Sequence, residues 1–122
     1  MPQIVLNASV DYAGNSTTIV KTIEYLNVPV SGDGVNTLSS FAATTSAVAI
    51  PLGSAANPLG WLFIKNNDVS NFIQVLTGTS GTVFGKLFPG EFLLMRLDPT
   101  ITAPAVQADT ANCSISFCII DN

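Results

Sequence analysis

Few side chains in this sequence have the type and spacing that catalysis requires. It has no histidine, so neither a Ser-His-Asp nor a Cys-His nucleophilic site can form. The two cysteines, Cys113 and Cys118, have no basic neighbour in sequence that would activate a thiol, and they are predicted to be structural. Because zinc needs three or four Cys, His or carboxylate ligands, two cysteines do not begin a zinc site. The sequence therefore predicts neither nucleophilic nor zinc chemistry.

The eight acidic residues are spread singly, without the DxD spacing typical of a calcium loop. Asp33 and Asp68, beside glycine and asparagine, are typical of turns. A glycosidase needs two carboxylates about 5–10 Å apart, and sequence alone leaves open whether any acids converge in this way. The candidates are Glu24, Asp68, Glu91 and Asp98. A metal that bridges subunits also stays open. We nevertheless expect no enzymatic activity, no catalytic, cofactor-binding or metal-binding residue, and no cofactor.

Two further kinds of ligand site have weak signals. The glycines of Gly78-Thr79-Ser80-Gly81 lack the lysine and the helix that follow in a phosphate-binding loop. Trp61 could stack on a sugar as in sandwich lectins, but it stands between apolar residues at the start of a strand. Core packing is therefore the favoured interpretation of Trp61.

Charge is unusually scarce in the 122 residues. Charged residues make up 10% of the chain, against about 25% in a typical soluble domain, and the mean hydropathy is +0.47. A free monomer normally uses surface charge to stay apart from its neighbours. We therefore expect partners to cover much of the surface, most simply in a homo-oligomer. The alternative is a soluble monomer with a neutral, hydroxyl-rich surface.

The charge distribution also argues against nucleic acid as a partner. The net charge is −4, and phosphate binding needs clustered basic residues. The basic residues are scattered: Lys21, Lys65, Lys86 and Arg96. No apolar run of 18 residues predicts a membrane span, and the first residues lack the basic and apolar regions of a signal peptide. We expect a soluble protein made in a cytoplasm, where two free thiols are typical.

The chain reads as short β segments separated by turn residues at spacings near ten, which predicts one all-β domain over residues 1–122. About eight strands fit a β-sandwich or barrel, with a jelly roll favoured. Only 17–26 has helical spacing, and its density of β-branched residues favours a strand. The predicted strands are 4–10, 17–26, 47–50, 61–65, 71–77, 82–88, 91–97 and 112–120.

Three local predictions follow from this pattern. Cys113 and Cys118, five residues apart on one strand, would lie about 17 Å apart and cannot form a disulfide with each other. Cys113 is expected to face inward with Ile115 and Phe117. Gly90 is expected to adopt a positive φ in a type II turn after Pro89. Turns are expected at 11–15 and 31–34.

Some segments are apolar on both faces of their predicted strand. Trp61-Leu62-Phe63-Ile64 and Phe92-Leu93-Leu94-Met95 contain no polar residue, so their outward members would form an exposed patch that marks a contact site. The charge-poor segments Leu38–Leu52 and Asp98–Asp109, the second expected to be irregular, are candidate contact arms. Alternatively, these loops cover the patch within the domain.

The stretch Trp61-Leu62-Phe63-Ile64-Lys65-Asn66-Asn67-Asp68, followed by Asn71-Phe72-Ile73-Gln74-Val75 and by Leu87-Phe88-Pro89-Gly90-Glu91-Phe92, resembles small β-sandwich virion proteins of tailed bacteriophages. The close match covers about a quarter of the chain. The resemblance implies a non-enzymatic virion protein, first of all a capsid decoration (cement) protein that binds the major capsid protein, often as a trimer. It equally leaves a tail, baseplate or head-fibre subunit open. A carbohydrate-binding module is the alternative from another functional class.

Overall fold

The structure is a computed structural model that describes residues 3–13, 18–29 and 34–121. The chain divides into two compact units, 1–31 and 32–122. The expectation that residues 1–122 form a single domain stays a prediction.

The first unit contains one two-stranded antiparallel sheet, formed by β1 (Gln3–Ala13) and β2 (Thr18–Pro29). The segment 17–26 has helical spacing but was predicted to be a strand, and its described residues, 18–26, lie in the strand β2. The register places Leu6 opposite Leu26 and Ala8 opposite Ile23, with one irregularity between the two pairs. β1 continues to Ala13, and the rest of the turn predicted at 11–15 lies outside the described residues. The turn predicted at 31–34 also falls mostly outside them.

The second unit is a sandwich of two antiparallel four-stranded sheets, which we name after their first strands. The β3 sheet has the order β3-β10-β5-β8, and the β4 sheet has the order β4-β9-β6-β7. This is the strand order of a jelly roll, in which successive strands mostly alternate between the two sheets. The strands are β3 (Val35–Ala43), β4 (Val48–Ala49), β5 (Leu59–Asn66), β6 (Ile73–Leu76), β7 (Val83–Leu87), β8 (Phe92–Arg96), β9 (Ala105–Ala108) and β10 (Cys113–Asp121).

The predicted all-β sandwich of about eight strands is confirmed, but its membership differs from the prediction. The two predicted N-terminal strands form the separate sheet, and β3 and β9 complete the sandwich. The prediction that Asp98–Asp109 is irregular was wrong, because β9 occupies four of its residues. The ordered strand expected at 47–50 is only Val48–Ala49, and the longer strand of that region is β3.

The last strand, β10, lies between β3 and β5 and shows the predicted alternation. Cys113, Ile115, Phe117 and Ile119 are buried, whereas Ser114 is exposed and Cys118 is half-buried. Both cysteines are free thiols, as predicted. Phe117 contacts Phe41 of β3 edge to face, with ring centroids 5.8 Å apart.

Apolar side chains from the inner faces of both sheets form the core. Its largest fully buried members come from four of the eight strands and from two loops: Leu59, Leu62, Ile64, Ile73, Val75, Val106, Ile115, Phe117, Ile119, Ile50 and Leu97. At the start of β3, Gly34 lies so close to Ser54 and to the Asp121 carboxylate that a Cβ would collide with both. The Gly34 N–H donates to Asp121 Oδ1 at 3.0 Å, which ties the two ends of the sandwich unit together.

Candidate protein interface

The fold separates two of the carboxylates that could have formed a glycosidase pair. Glu91 and Asp98 flank β8 and lie seven residues apart, which corresponds to about 23 Å of extended chain. Asp68 lies in the loop after β5, and its Oδ2 accepts hydrogen bonds from the backbone N–H groups of Ser70 and Asn71. The side chain of Glu24 lies outside the described residues. Of the described candidates, the structure therefore separates Asp98 from Glu91, and Asp68 and Glu91 each accept hydrogen bonds from backbone N–H groups of their own loops.

Asp68 and Asp98 accept hydrogen bonds from residues of their own loops. Backbone N–H groups of Asn71 and Ser70 lower the pKa of Asp68, and the Thr100 hydroxyl and N–H lower the pKa of Asp98. Among the described residues, no three Cys or acidic side chains come close enough to hold a metal ion.

The two thiols occupy environments that disfavour the thiolate. Burial raises the pKa of Cys113, with smaller contributions from the charges of Asp68 and Asp109. Burial also raises the pKa of Cys118. Because the thiolate is the reactive form, neither cysteine is activated as a nucleophile.

A buried amide organises the loops at one end of the sandwich. Asn66 is fully buried at the end of β5, where its Nδ2 donates to Asn71 O at 2.9 Å and to Leu87 O at 3.1 Å. Its Oδ1 accepts from Asp68 N at 2.9 Å. Its side chain thus holds the loop after β5 and the end of β7, and every polar atom of the buried amide has a partner.

The turn between β7 and β8 is fixed against the same residue. Gly90 has a φ of +83°, as predicted, and Glu91 N donates to Phe88 O at 3.0 Å, as a type II turn requires. The Gly90 N–H donates to the Asn66 carbonyl at 2.9 Å, and Glu91 Oε2 accepts from Phe88 N. Phe88 and Val69 are exposed on these two loops, so rigid backbone presents apolar side chains at this end.

The outer face of the β3 sheet carries a patch of apolar side chains, which we call the outer patch. Alternation along β5 buries Leu62 and Ile64 and leaves Trp61, Phe63 and Lys65 on the outside. The register then places residues of β8 and β10 beside them on the same face. The outer patch consists of Trp61, Phe63, Phe92, Leu94, Cys118 and Ile120. Polar side chains share the face with it: Lys65 is paired with Phe92 and Ser116, and Arg96 is paired with Trp61.

Within the outer patch, Phe92 is 60% exposed, and its ring lies 6.1 Å from that of Phe63 between centroids. Trp61 does not belong to the core, so the core packing that the sequence favoured for it was wrong. Its side chain is half-buried, and its indole N–H is buried without a hydrogen-bond acceptor among the described residues.

The outer face of the β4 sheet is polar by comparison. The register lines up Gln74, Lys86 and Gln107 across β6, β7 and β9. The Lys86 ammonium lies 3.9 Å from the centroid of the Phe72 ring, so a charged group covers this aromatic side chain. The two outer faces therefore differ: the face of the β3 sheet carries the aromatic pair Phe63 and Phe92, whereas the matching row of the β4 sheet is polar.

Sequence reasoning anticipated part of this arrangement. The runs 61–64 and 92–95 were recognised as apolar on both faces, and both contribute to the outer patch. Cys118 and Ile120 were missed, because only the register of β10 against β5 reveals that they lie beside Phe63 and Trp61. The segments predicted to be contact arms, Leu38–Leu52 and Asp98–Asp109, contribute to three strands of the sandwich, and their part in contacts stays a prediction.

In the described ranges, no helix is long and apolar enough to cross a membrane. Comparison of the chain with models of protein families, with curated proteins and with solved structures finds no match.

Proposed function

We propose that this chain is a non-enzymatic virion structural protein, most specifically a bacteriophage capsid decoration protein that binds the major capsid protein. It works by covering other protein surfaces, including those of its own copies. The trimeric state that accompanies this proposal is implied by the sequence resemblance alone.

The observation that carries the proposal is the contrast between the two outer faces of the sandwich. An exposed aromatic side chain, Phe92, lies with Phe63 and Leu94 on one face, which also carries Lys65 and Arg96. On the other face the matching row is polar: Gln74, Lys86 and Gln107. Apolar patches of this kind usually mark contact sites, and aromatic residues are enriched at the centres of interfaces. The scarcity of charge in the chain supports the same conclusion.

The fold is compatible with the proposal without requiring it. Eight-stranded jelly rolls build viral capsid proteins, and they also build lectins. Because one fold carries many functions, the argument rests on the outer patch and on the resemblance of 61–68, 71–75 and 87–92 to virion proteins.

Capsid binding by two matched variants tests the proposal. Purified protein is mixed with capsids assembled in its absence, and the bound fraction is measured after sedimentation. We expect wild-type protein to bind, and Phe92→Glu to bind at least about tenfold more weakly because it places a charge within the outer patch. Gln74→Glu introduces the same charge on the polar outer face and should bind like wild type.

Wild-type protein that remains a 12.7 kDa monomer in light scattering and does not sediment with capsids would contradict the proposal. Binding to isolated tails or fibres in place of capsids would support the alternative position on the particle. Affinity for glycans that Phe92→Glu abolishes would favour the carbohydrate-binding alternative.

A further inference from the structure

The sandwich has four edge strands, and three of them carry features that discourage pairing with another strand. β4 has only two residues. β7 contains Lys86 and is irregular against β6, and β8 ends in exposed Arg96. Short length, charge and bulges are the devices by which proteins protect a sheet edge.

The fourth edge, β3, lacks most of these features. It spans nine residues without a charged residue or a proline, and most of its side chains are exposed. It pairs only with β10, so its other side faces no strand within the described residues. Its one irregularity is a bulge between Leu38 and Phe41, where Ser116 Oγ donates to Ser39 O at 3.0 Å.

Part of this edge is already closed by the protein itself. The Val35 N–H donates to Ser54 Oγ at 3.2 Å, and Ser54 Oγ donates in turn to Val35 O at 2.9 Å. A hydroxyl thus replaces a neighbouring strand at Val35. Because amide groups in an antiparallel strand alternate between its two sides, the N–H and C=O of Thr37 point to the same open side. The open part of the edge is therefore 37–42.

The side chains of 37–42 complement a second copy of the same segment. Leu38 and Phe41 lie opposite Phe117 and Ile115, whose side chains point into the sandwich, so both lie on the inner side of the sheet. A twofold axis between Ser39 and Ser40 would place Leu38 of one copy opposite Phe41 of the other. That pairing would cover Leu38, which is 40% exposed, and would bring no like charges together.

We infer that the open edge of β3 pairs antiparallel with the β3 edge of a second copy of this chain, which joins two four-stranded sheets into one of eight. Such a contact is self-complementary and closes at two copies. Its chemistry is that of main-chain hydrogen bonding, with Leu38 and Phe41 providing the register.

Two measurements test the inference. Sedimentation equilibrium should give twice the chain mass at high concentration, and not the threefold mass that the sequence resemblance implies. Amide exchange of Thr37 should slow at least about tenfold there relative to dilute protein, because its N–H gains an acceptor. Ser39→Lys should restore the monomer mass and fast exchange at Thr37. Val83→Lys adds the same charge to β7, an edge strand that already carries Lys86, and should leave the dimer intact.

Thr37→Pro provides a second variant without added charge. It removes the open-side N–H and leaves the main-chain bonds to β10, at a position where an edge strand tolerates proline, but it also removes the bond that Thr37 Oγ1 donates to Phe117 O at 2.9 Å. It should also abolish the dimer. A monomer at all concentrations would overturn the inference, as would an assembly whose mass Ser39→Lys and Thr37→Pro both leave unchanged. The edge contact does not rest on the proposed function, so a dimer that binds no capsid contradicts only the latter.

Discussion

Single residues at the ends of strands determine how the loops of the sandwich are shaped. Gly90 was identifiable from sequence because a Pro-Gly pair between two apolar runs specifies a type II turn. The function of Asn66 was not, because an asparagine at the end of a strand usually forms a turn in solvent. Its burial depends on Leu87 and Asn71, which only the folded chain brings to its amide.

The backbone at Gly90 leads to a direct prediction. Gly90 has a φ of +83° and open space where a Cβ would lie, so Gly90→Ala introduces conformational strain without a collision. We expect a loss of about 1 kcal/mol in the free energy of unfolding, measured by urea denaturation. Gly78→Ala is the matched control, because a Cβ there meets only Ala103 O at 3.9 Å and no positive φ is involved. Equal effects of both substitutions would contradict the turn assignment.

Two carboxylates make stability depend on acid pH. The pKa values of Asp68 and Asp98 lie below the ordinary 3.8, because hydrogen bonds in their loops stabilise the charged forms. When the pKa of a carboxyl group is lower in the folded than in the unfolded chain, its charged form stabilises the fold. This contribution to the free energy of unfolding is complete above about pH 4 and is lost as the pH falls through the folded-state pKa. We therefore expect the urea midpoint to fall on acidification below about pH 4.

Asp68→Asn tests the origin of this dependence. The amide oxygen of Asn can still accept from Asn71 N, but it does not titrate, so the variant should lose less stability than wild type over the same acid range. If the urea midpoints of Asp68→Asn and wild type fall equally as the pH is lowered, Asp68 is not the source of this pH dependence.

At the scale of strands, the sequence was most informative where apolar residues alternate with polar ones or form a dense run. β5, β8 and β10 were predicted nearly to their ends. β3 was largely missed because its serines and threonines fit a loop as well as an edge strand, and because its bulge interrupts the alternation. β9 was missed because a run of only four residues between Pro104 and Asp109 gives little periodicity, although β9 lies inside its sheet.

The central position of β10 predicts a large cost for shortening its main core side chain. Phe117 is 1% exposed and contacts Phe41, so Phe117→Ala should lower the free energy of unfolding by about 3–5 kcal/mol through lost burial and a cavity. Phe92→Ala removes the same side chain from the outer patch and should cost less than about 1 kcal/mol in dilute protein. Guanidinium denaturation of both variants provides the comparison, and similar losses would mean that Phe92 is covered in the isolated chain.

For the whole molecule, composition predicted a contact surface but not its location. A count of charges and apolar residues cannot say which outward positions become neighbours. The register of three strands, β5, β8 and β10, does so, by placing Trp61, Phe63, Leu94 and Ile120 on one face. The open edge of β3 was beyond sequence reasoning for a further reason: an edge is defined by the absence of a neighbouring strand, which no local pattern encodes.

The position of β10 between β3 and β5 also sets the order in which the protein can be built. Gly34 and Asp121, which are hydrogen-bonded, lie 87 residues apart in the chain, so the β3 sheet cannot close on the ribosome until β10 has emerged. Folding of such a non-local topology is expected to take milliseconds to seconds in stopped-flow refolding experiments. A chain that ends at Asn112 should show no cooperative thermal unfolding. Before β10 has emerged, the apolar side chains of β5 have no partner strand on that side. A nascent chain therefore exposes this strongly apolar segment while it is still incomplete and most prone to aggregate.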